Sequence, residues 1–283
     1  MDSFRRSTAA DVTRADAAAA LECVFDQYLV PISFSEAAYA IHVTANDVDL
    51  ASSPIWYDVE GNVVAAAVLA VRGSRGWVGG FGVAPAHRGR GIGRLLLDEL
   101  MARARSLGLH SIALEVLVQN AAARRLYVEF GFTQTRALQT FEARAKSFDG
   151  LRADIPYVAD AAQYIERADT EAPCWQLESP SLRRQPSLHA VGNHECFCVF
   201  RHNGETAQLL RARARSPEAF ARACASVAAQ SGVTHLRLFN ESRDSMPAVT
   251  ARALQWTIVH EQAEMRVLLA PAPPSTSENV PSE

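Results

Sequence analysis

The sequence predicts a mixed α/β fold (α+β in layout) built on a mostly antiparallel sheet, and three observations predict it. Three apolar segments, Ile55–Val59, Val63–Val71 and Trp77–Val83, are joined by Glu60-Gly61-Asn62 and Gly73-Ser74-Arg75-Gly76. Links that short join only antiparallel neighbours. The third segment runs into a glycine-rich loop that opens a helix, with Ile92, Leu95, Leu96, Leu100, Met101 and Ala104 at helical spacing. The order hairpin, helix, strand, helix, strand over Val63–Phe141 then recurs in the second half, which predicts an internal structural duplication.

Taken in order, the first half opens with a strand at Phe4–Thr8 and a helix from about Arg14 to Tyr28, stopped at Pro31. Ser35 offers an N-cap oxygen to a short helix ending near Val43, and Asn46–Pro54 reads as a loop. After the three strands, the helix opened by the glycine loop ends near Gly108. Ser111–Leu117 reads as a strand, Ala121–Phe130 as a short helix closed by Gly131, and Phe132–Phe141 as one or two strands. A polar stretch at Lys146–Asp154 separates the halves. Beyond it come a helix at Val158–Arg167 and an irregular region holding Pro173, Pro180 and Pro186. A hairpin of Phe197–Arg201 and Thr206–Ala212 turns at Asn203-Gly204, and a helix follows at Pro217–Ser231, left at Gly232. The half closes with a strand at Leu236–Phe239, a helix around Pro247–Gln255 and a strand at Glu264–Leu269. Residues from Pro271 on, rich in proline and serine, read as a disordered tail. The expected division is 1–146, 150–270 and the tail 271–283.

Composition narrows the function classes. A net charge of −3 over 283 residues argues against a general nucleic-acid binder, and the basic residues are arginines except for Lys146. Met1-Asp2-Ser3-Phe4-Arg5-Arg6 leads into an alanine-rich stretch broken by charges, unlike a secretory signal. The longest apolar run, Val63–Val71, is far too short to span a bilayer. Five cysteines without framework spacing fit a reducing compartment. A cytoplasmic protein with neither membrane nor nucleic-acid partner is expected.

The segment Gly79-Gly80-Phe81-Gly82-Val83-Ala84-Pro85-Ala86-His87-Arg88-Gly89-Arg90-Gly91-Ile92-Gly93-Arg94 carries the strongest chemical signal. Backbone N–H groups at a helix start lack intrahelical partners, and the macrodipole makes that end positive. Glycines let an anion approach those groups closely, so a pyrophosphate is the natural guest. A dinucleotide-binding βαβ unit is excluded on two counts. Arg94 stands where its third glycine belongs, and the feeding strand arrives through antiparallel turns.

Arg88-x-x-Gly91-x-Gly93 resembles the pyrophosphate loop of the GNAT acyltransferases (GCN5-related N-acetyltransferases), and Val83-Ala84-Pro85 resembles that family's strand-to-loop junction. Leu114-Glu115-Val116, Asn120, Ala123, Leu126-Tyr127 and Gly131-Phe132 resemble its second signature. The resemblance spans Phe4 to about Phe141; in the second half only the order of elements is similar. It implies a sheet with a splayed central strand pair and a second, degenerate GNAT-like domain. It also implies that backbone N–H groups of Arg88, Gly89, Arg90, Gly91, Ile92, Gly93 and Arg94 hold the coenzyme A pyrophosphate. Main-chain groups of Phe81, Gly82 and Val83 would pair with the pantetheine arm, Asn120 would lie near it, and Tyr127 would protonate the departing thiolate. Glycines at 79, 80 and 82 suit a bulged strand that leaves such a slot.

Acyl transfer to an amine needs a base for the nucleophile and an acid for the leaving group. Tyr127 is the candidate acid, against a plain core aromatic. Trp77–Val83 offers no carboxylate, so Glu115 is the candidate base, against a structural partner of an arginine. Burial would raise its pKa toward neutrality. Asp47 and Asp49 read as a solvated acidic loop or a lure for an ammonium group. His194-Glu195-Cys196-Phe197-Cys198 lacks a second ligand pair and reads as a half-buried strand, with no metal expected. Arg211, Arg213 and Arg215 read as a solvated edge or a domain contact.

The expected function is transfer of an acetyl group from acetyl-CoA to a primary amine of a small molecule or peptide by direct attack, since no cysteine falls in either signature. The competing reading is a silent coenzyme-A-binding regulatory module. Covering the acceptor side or forming a homodimer contact are the two roles expected of the second half.

Overall fold

A computed structural model describes residues 4–30, 32–158, 160–166 and 173–269. The predicted tail from Pro271, the stop at Pro31 and the predicted helix end at Arg167 lie outside the described residues. The chain divides into two compact units. The first comprises the described residues of Met1–Ser33, Asp49–Ala113 and Arg266–Glu283; the second comprises Phe34–Val48 and Leu114–Met265. No described helix is long and apolar enough to cross a membrane.

The first unit is built on β1 (Arg5–Thr8), β2 (Pro54–Tyr57), β3 (Val63–Arg72) and β4 (Arg75–Val83), adjacent in that order and antiparallel throughout. The short turns dictate this pairing, and the apolar run of β3 makes it the buried central strand. Helices α1 (Arg14–Phe25) and α3 (Ile92–Ser106) pack on β3 and β4. The inner face of α3 buries Ile92, Leu96, Leu97, Leu100, Met101 and Ala104. Leu95, included in the sequence pattern, faces outward. Trp56 and Trp77 fill the core, and the Trp56 indole donates to Glu99 at 3.1 Å.

The second unit runs in the order β5 (Ser111–Leu117), β12 (Thr257–Leu268), β6 (Thr133–Arg144), β11 (His235–Ser242), β10 (Thr206–Ala214), β9 (Cys196–His202), β8 (His189–Gly192), β7 (Tyr157–Val158). The division of units passes through β5 and β12 themselves. The last strand is longer than Glu264–Leu269 and lies between β5 and β6. Val118 donates to the Glu261 carbonyl at 3.0 Å, and Thr135 on β6 donates to the Glu264 carbonyl at 3.2 Å. β10 and β11 are parallel, joined by the crossover helix α7 (Pro217–Ser231), while β6–β11, β9–β10, β8–β9 and β7–β8 are antiparallel. α4 (Ala121–Glu129) and α8 (Met246–Ala253) complete the repeat of elements.

Two expectations fail locally. In place of a helix from Val158, Tyr157–Val158 is an edge strand and α5 covers only Ala162–Ile165, begun by Asp160 accepting from the Ala162 N–H at 2.8 Å. The proline-bearing region is ordered in part: α6 (Ser179–Arg183) carries Pro180 in its first turn, where a missing N–H costs nothing.

What organises that region is α2 (Glu36–Asn46), capped by the Ser35 hydroxyl at 3.2 Å from the Ala38 N–H. Buried Asn46 accepts from the Trp175 indole at 2.9 Å through its carbonyl and from the Ser181 hydroxyl at 3.1 Å through Oδ1. One turn back, the His42 ring meets Phe34 edge-on with its Nε2 shielded from solvent. Burial pushes this imidazole down to about 4.

Two predictions follow from these contacts. A chain ending at Gln255 removes β12 and leaves β5 and β6 without their shared partner. Its melt, followed by circular dichroism, should lose cooperativity; a cooperative transition near the wild-type midpoint would refute the pairing. His42 folds in its neutral form. Its contribution is complete above about pH 6.5, the unfolded value, and is lost as pH falls toward 4, on the order of 3 kcal/mol. Between those pH values His42→Gln should lose less stability than wild type in denaturant titrations; parallel losses would contradict the assignment.

Candidate active site

The glycine loop lies wholly in the first unit. β4 carries a bulge: Val68 opposes Gly80 and Leu69 opposes Val78, which leaves Gly79 as the extra residue. A Cβ on Gly79 would stand 2.4 Å from the Trp77 ring, so a side chain there collides with a core indole. Phe81, Gly82 and Val83 pair along one edge with Ala67, Ala66 and Ala65. Past a 3-10 turn at Pro85–His87, the loop reaches Gly89 and Gly91, each at φ +77, with open space where a Cβ would be built. Gly91 is the N-cap of α3, and no side chain caps it.

That open helix start is specific to α3. Thr13, Ser35, Asn120, Ser216 and Ser245 each accept a backbone N–H at the head of α1, α2, α4, α7 and α8. Among the described helices of two turns or more, only α3 begins without such a cap. α3 also has no acidic residue in its first turn, whereas its counterpart α7 has Pro217 and Glu218 there. The loop therefore offers its partial positive charge outward, and α7 has consumed its own.

Arg88 does something the sequence did not reveal. Its Nε donates to the Val83 carbonyl at 2.9 Å, and its Nη2 donates to the carbonyls of Asp26 at 2.7 Å and Val24 at 3.3 Å. The guanidinium ties the end of β4 to the C-terminus of α1, where basic groups complement the helix dipole. Exposed Arg90 and Arg94 flank the loop.

Glu115, Asn120 and Tyr127 belong to the second unit. The alternation of β5 holds, with Leu114 and Val116 buried and Glu115 between them half-buried. Asn120 caps α4, its Oδ1 accepting from the Ala123 N–H at 3.1 Å. Tyr127 is buried on α4 with its ring 5.7 Å from that of Phe132. Around Glu115 the structure gathers residues that no motif indicated. Glu264 on β12 receives Arg136 through two bonds of 2.8 Å and the Thr135 hydroxyl at 3.0 Å. Cys174 is fully buried; that burial, and then the charges of Glu115 and Glu264, push its thiol well above the ordinary value. The thiol stays protonated and is a poor nucleophile.

Residues 20–132 match the model of the Acetyltransferase (GNAT) family. That stretch of the chain belongs to the GNAT superfamily. L-methionine sulfoximine/L-methionine sulfone acetyltransferase of Salmonella typhimurium is 47% identical over 53 residues, 19% of this chain and 31% of that protein. The N-acetyltransferase YdgE of Bacillus subtilis is 42% identical over 55 residues, 19% of this chain and 35% of that protein. The chain thus spans about a third of the length of these curated relatives. The GCN5-related N-acetyltransferase from Sphaerobacter thermophilus superposes with a TM-score of 0.65 at 17% identity, covering 95% of this chain and 97% of that one. A tandem GNAT protein from the clavulanic acid biosynthesis pathway gives 0.65 at 14%, covering 96% and 100%. At such identities the likeness establishes the fold, a mixed α/β GNAT architecture.

Other candidates resolve into structural roles outside the GNAT signatures. Asp47 ends α2 in the left-handed conformation and pairs with Arg184 at the surface, while Asp49 accepts from the Ser52 N–H at 3.1 Å; both carboxylates are partly exposed and already engaged. Arg211 is buried and donates to the Ile165 carbonyl, and Arg213 lies 3.8 Å from Glu241, so neither sits on a solvated edge. Cys196 and Cys198 are buried in β9. His87 stands in the 3-10 turn before the GNAT loop with its Nδ1 buried.

Gly91→Val should weaken coenzyme A binding at least about tenfold. A β-branched residue at φ +77 is also strained by about 1–3 kcal/mol, so circular dichroism must establish that the variant is folded. Calorimetry on wild type should find one coenzyme A per chain, because the start of α7 is capped. Equal affinity in the folded variant, or two equivalent sites, would refute the cradle.

Proposed function

We propose that this chain is an acetyl-CoA-dependent N-acetyltransferase acting on a primary amine of a small molecule or peptide, with catalysis carried by residues 1–146. The observation that carries this reading is the uncapped start of α3 behind two glycines at positive φ, within the stretch that matches the GNAT model. The residues present fit a pyrophosphate. Space is open where Cβ atoms would stand at Gly89 and Gly91, the helix dipole is unneutralised, and two arginines flank the loop.

In this reading, backbone N–H groups from Arg88 to Arg94 hold the pyrophosphate, and the Arg88 side chain keeps the loop in place through its three carbonyl contacts. Main-chain groups of Phe81–Val83 bind the pantetheine arm. Bound acetyl-CoA supplies an activated acetyl thioester. The Glu115 carboxylate accepts a proton from the attacking amine, and the Tyr127 hydroxyl holds the proton that the departing thiolate takes up. Packing against Phe132 fixes the tyrosine ring and so limits where that proton can be delivered. The protonated state of Cys174 supports direct attack by the amine over relay through a cysteine. Residues 150–270 form the non-catalytic half in this reading, since Ser216, Pro217 and Glu218 fill the helix start where a second cradle would be.

Acid and base act on opposite limbs of the pH–rate profile. Wild type should give a bell. Tyr127→Phe should lower turnover by about 10², keep acetyl-CoA affinity and lose the alkaline limb, while Glu115→Gln should lose the acidic one. Thiol release followed across pH with an amine panel checks both. Unchanged turnover in the first variant, or an unchanged acidic limb in the second, removes that residue from the mechanism.

A further inference from the structure

Glu264, a buried carboxylate that the mechanism above does not use, stands directly across the sheet from Glu115. Strands β5 and β12 are neighbours. At one end of the pair the Val118 N–H donates to the Glu261 carbonyl at 3.0 Å, and at the other the Leu269 N–H donates to the His110 carbonyl at 2.8 Å. Residues bonded in this way stand opposite one another in an antiparallel ladder, and counting inward from either bond gives one register without a bulge. It sets Glu115 against Glu264 as a non-hydrogen-bonded pair, in which Cα atoms approach to about 4.5 Å and side chains share a face. Both residues belong to the second unit.

Like charges directly opposite on a sheet repel, and Glu264 is only 6% exposed, so water does little to screen them. One cation answers both carboxylates. Arg136, from β6 on the other edge of β12, gives Glu264 two hydrogen bonds of 2.8 Å, and the charges of both glutamates act on its guanidinium. Cys174 faces the same three groups and keeps its proton, so it adds no charge. Two carboxylates therefore share one guanidinium, and Glu115 feels repulsion from Glu264 against attraction to Arg136. Facing carboxylates with no cation retain a proton on one of them; a carboxylate facing only a guanidinium gives its proton up readily.

We propose that Glu264 and Arg136 are positioning residues for Glu115, a pair of opposite charges from β12 and β6 that sets how readily its carboxylate takes a proton. β12 lies within residues 150–270, so the half without a cradle supplies part of the setting of the base. The role at turnover rests on the reading of Glu115 as base; the charge pair itself does not.

Carbon-13 carboxyl NMR of the full chain labelled at glutamate, with the Glu115 signal assigned by its loss in Glu115→Gln, reads that balance without turnover. Arg136→Met should move the Glu115 titration midpoint up by about 1 pH unit or more, and Glu264→Gln should move it down by a similar amount. The double variant, with both charges gone, should return near the wild-type midpoint, as should Arg136→Lys, which keeps the charge. A merely structural pair would not move the midpoint in opposite directions. Shifts in the same direction, no shift, or a double variant that does not return would overturn the proposal. If Arg136→Met does not fold, Glu264→Gln and the double variant decide. The pH–rate profile separates this from the assignment of the base. An acidic limb that follows the NMR midpoints supports both, whereas the expected midpoints with a stationary limb support the charge pair and remove Glu115 as the base.

Discussion

Strand β12 forms hydrogen bonds on both of its edges, to β5 and to β6, and the second unit depends on that placement. Side chains reinforce it. Glu264 is buried and takes Arg136 and Thr135 from β6, and Glu261 accepts from the Gln139 amide at 2.7 Å. A buried carboxylate is tolerated only when so paired, and removing one partner from such a pair typically costs about 3–5 kcal/mol. Because β12 comes from the far end of the chain, its bonds form only after long-range closure, whose entropy must be offset before any contact contributes.

A second constraint acts at helix starts. Each helix of useful length leaves backbone N–H groups unsatisfied, and this chain answers with Thr13, Ser35, Asn120, Ser216 and Ser245. At α3 it answers with Gly91 and leaves the polarity exposed. The difference between the two halves therefore reduces to a few side chains. Ser216, Pro217 and Glu218 neutralise one helix start; Gly89, Gly91 and flanking arginines keep the other open.

Polar residues inside the second unit follow the same economy of pairing. Asn46 joins α2 to Trp175 and Ser181, and Arg211 reaches the end of α5. The neighbourhood of Glu115 is charged: Glu264 and Arg136 neutralise one another, and Cys174 keeps its proton. Among these groups the carboxylates and the guanidinium act by charge, whereas the thiol acts as packing.

By itself the sequence determined what depends on neighbours along the chain. Tight turns made β2–β3–β4 antiparallel, glycines marked the bulge in β4 and the open start of α3, and Ser35 and Pro217 announced their helices. It also carried the GNAT signatures. Its failures have one cause. Between Val158 and Gly192 the local pattern is weak: β7 and β8 take their form from pairing with one another and with β9, and α6 is held to Asn46 through Ser181. Asp47 and Arg211 looked available because their partners, Arg184 and the Ile165 carbonyl, lie far away in sequence, and Arg136 and Glu264 came together only through strand pairing. Tertiary structure alone decided that β12 lies between β5 and β6, because a strand's partners are set by which sheet edges remain open once all the other segments have packed.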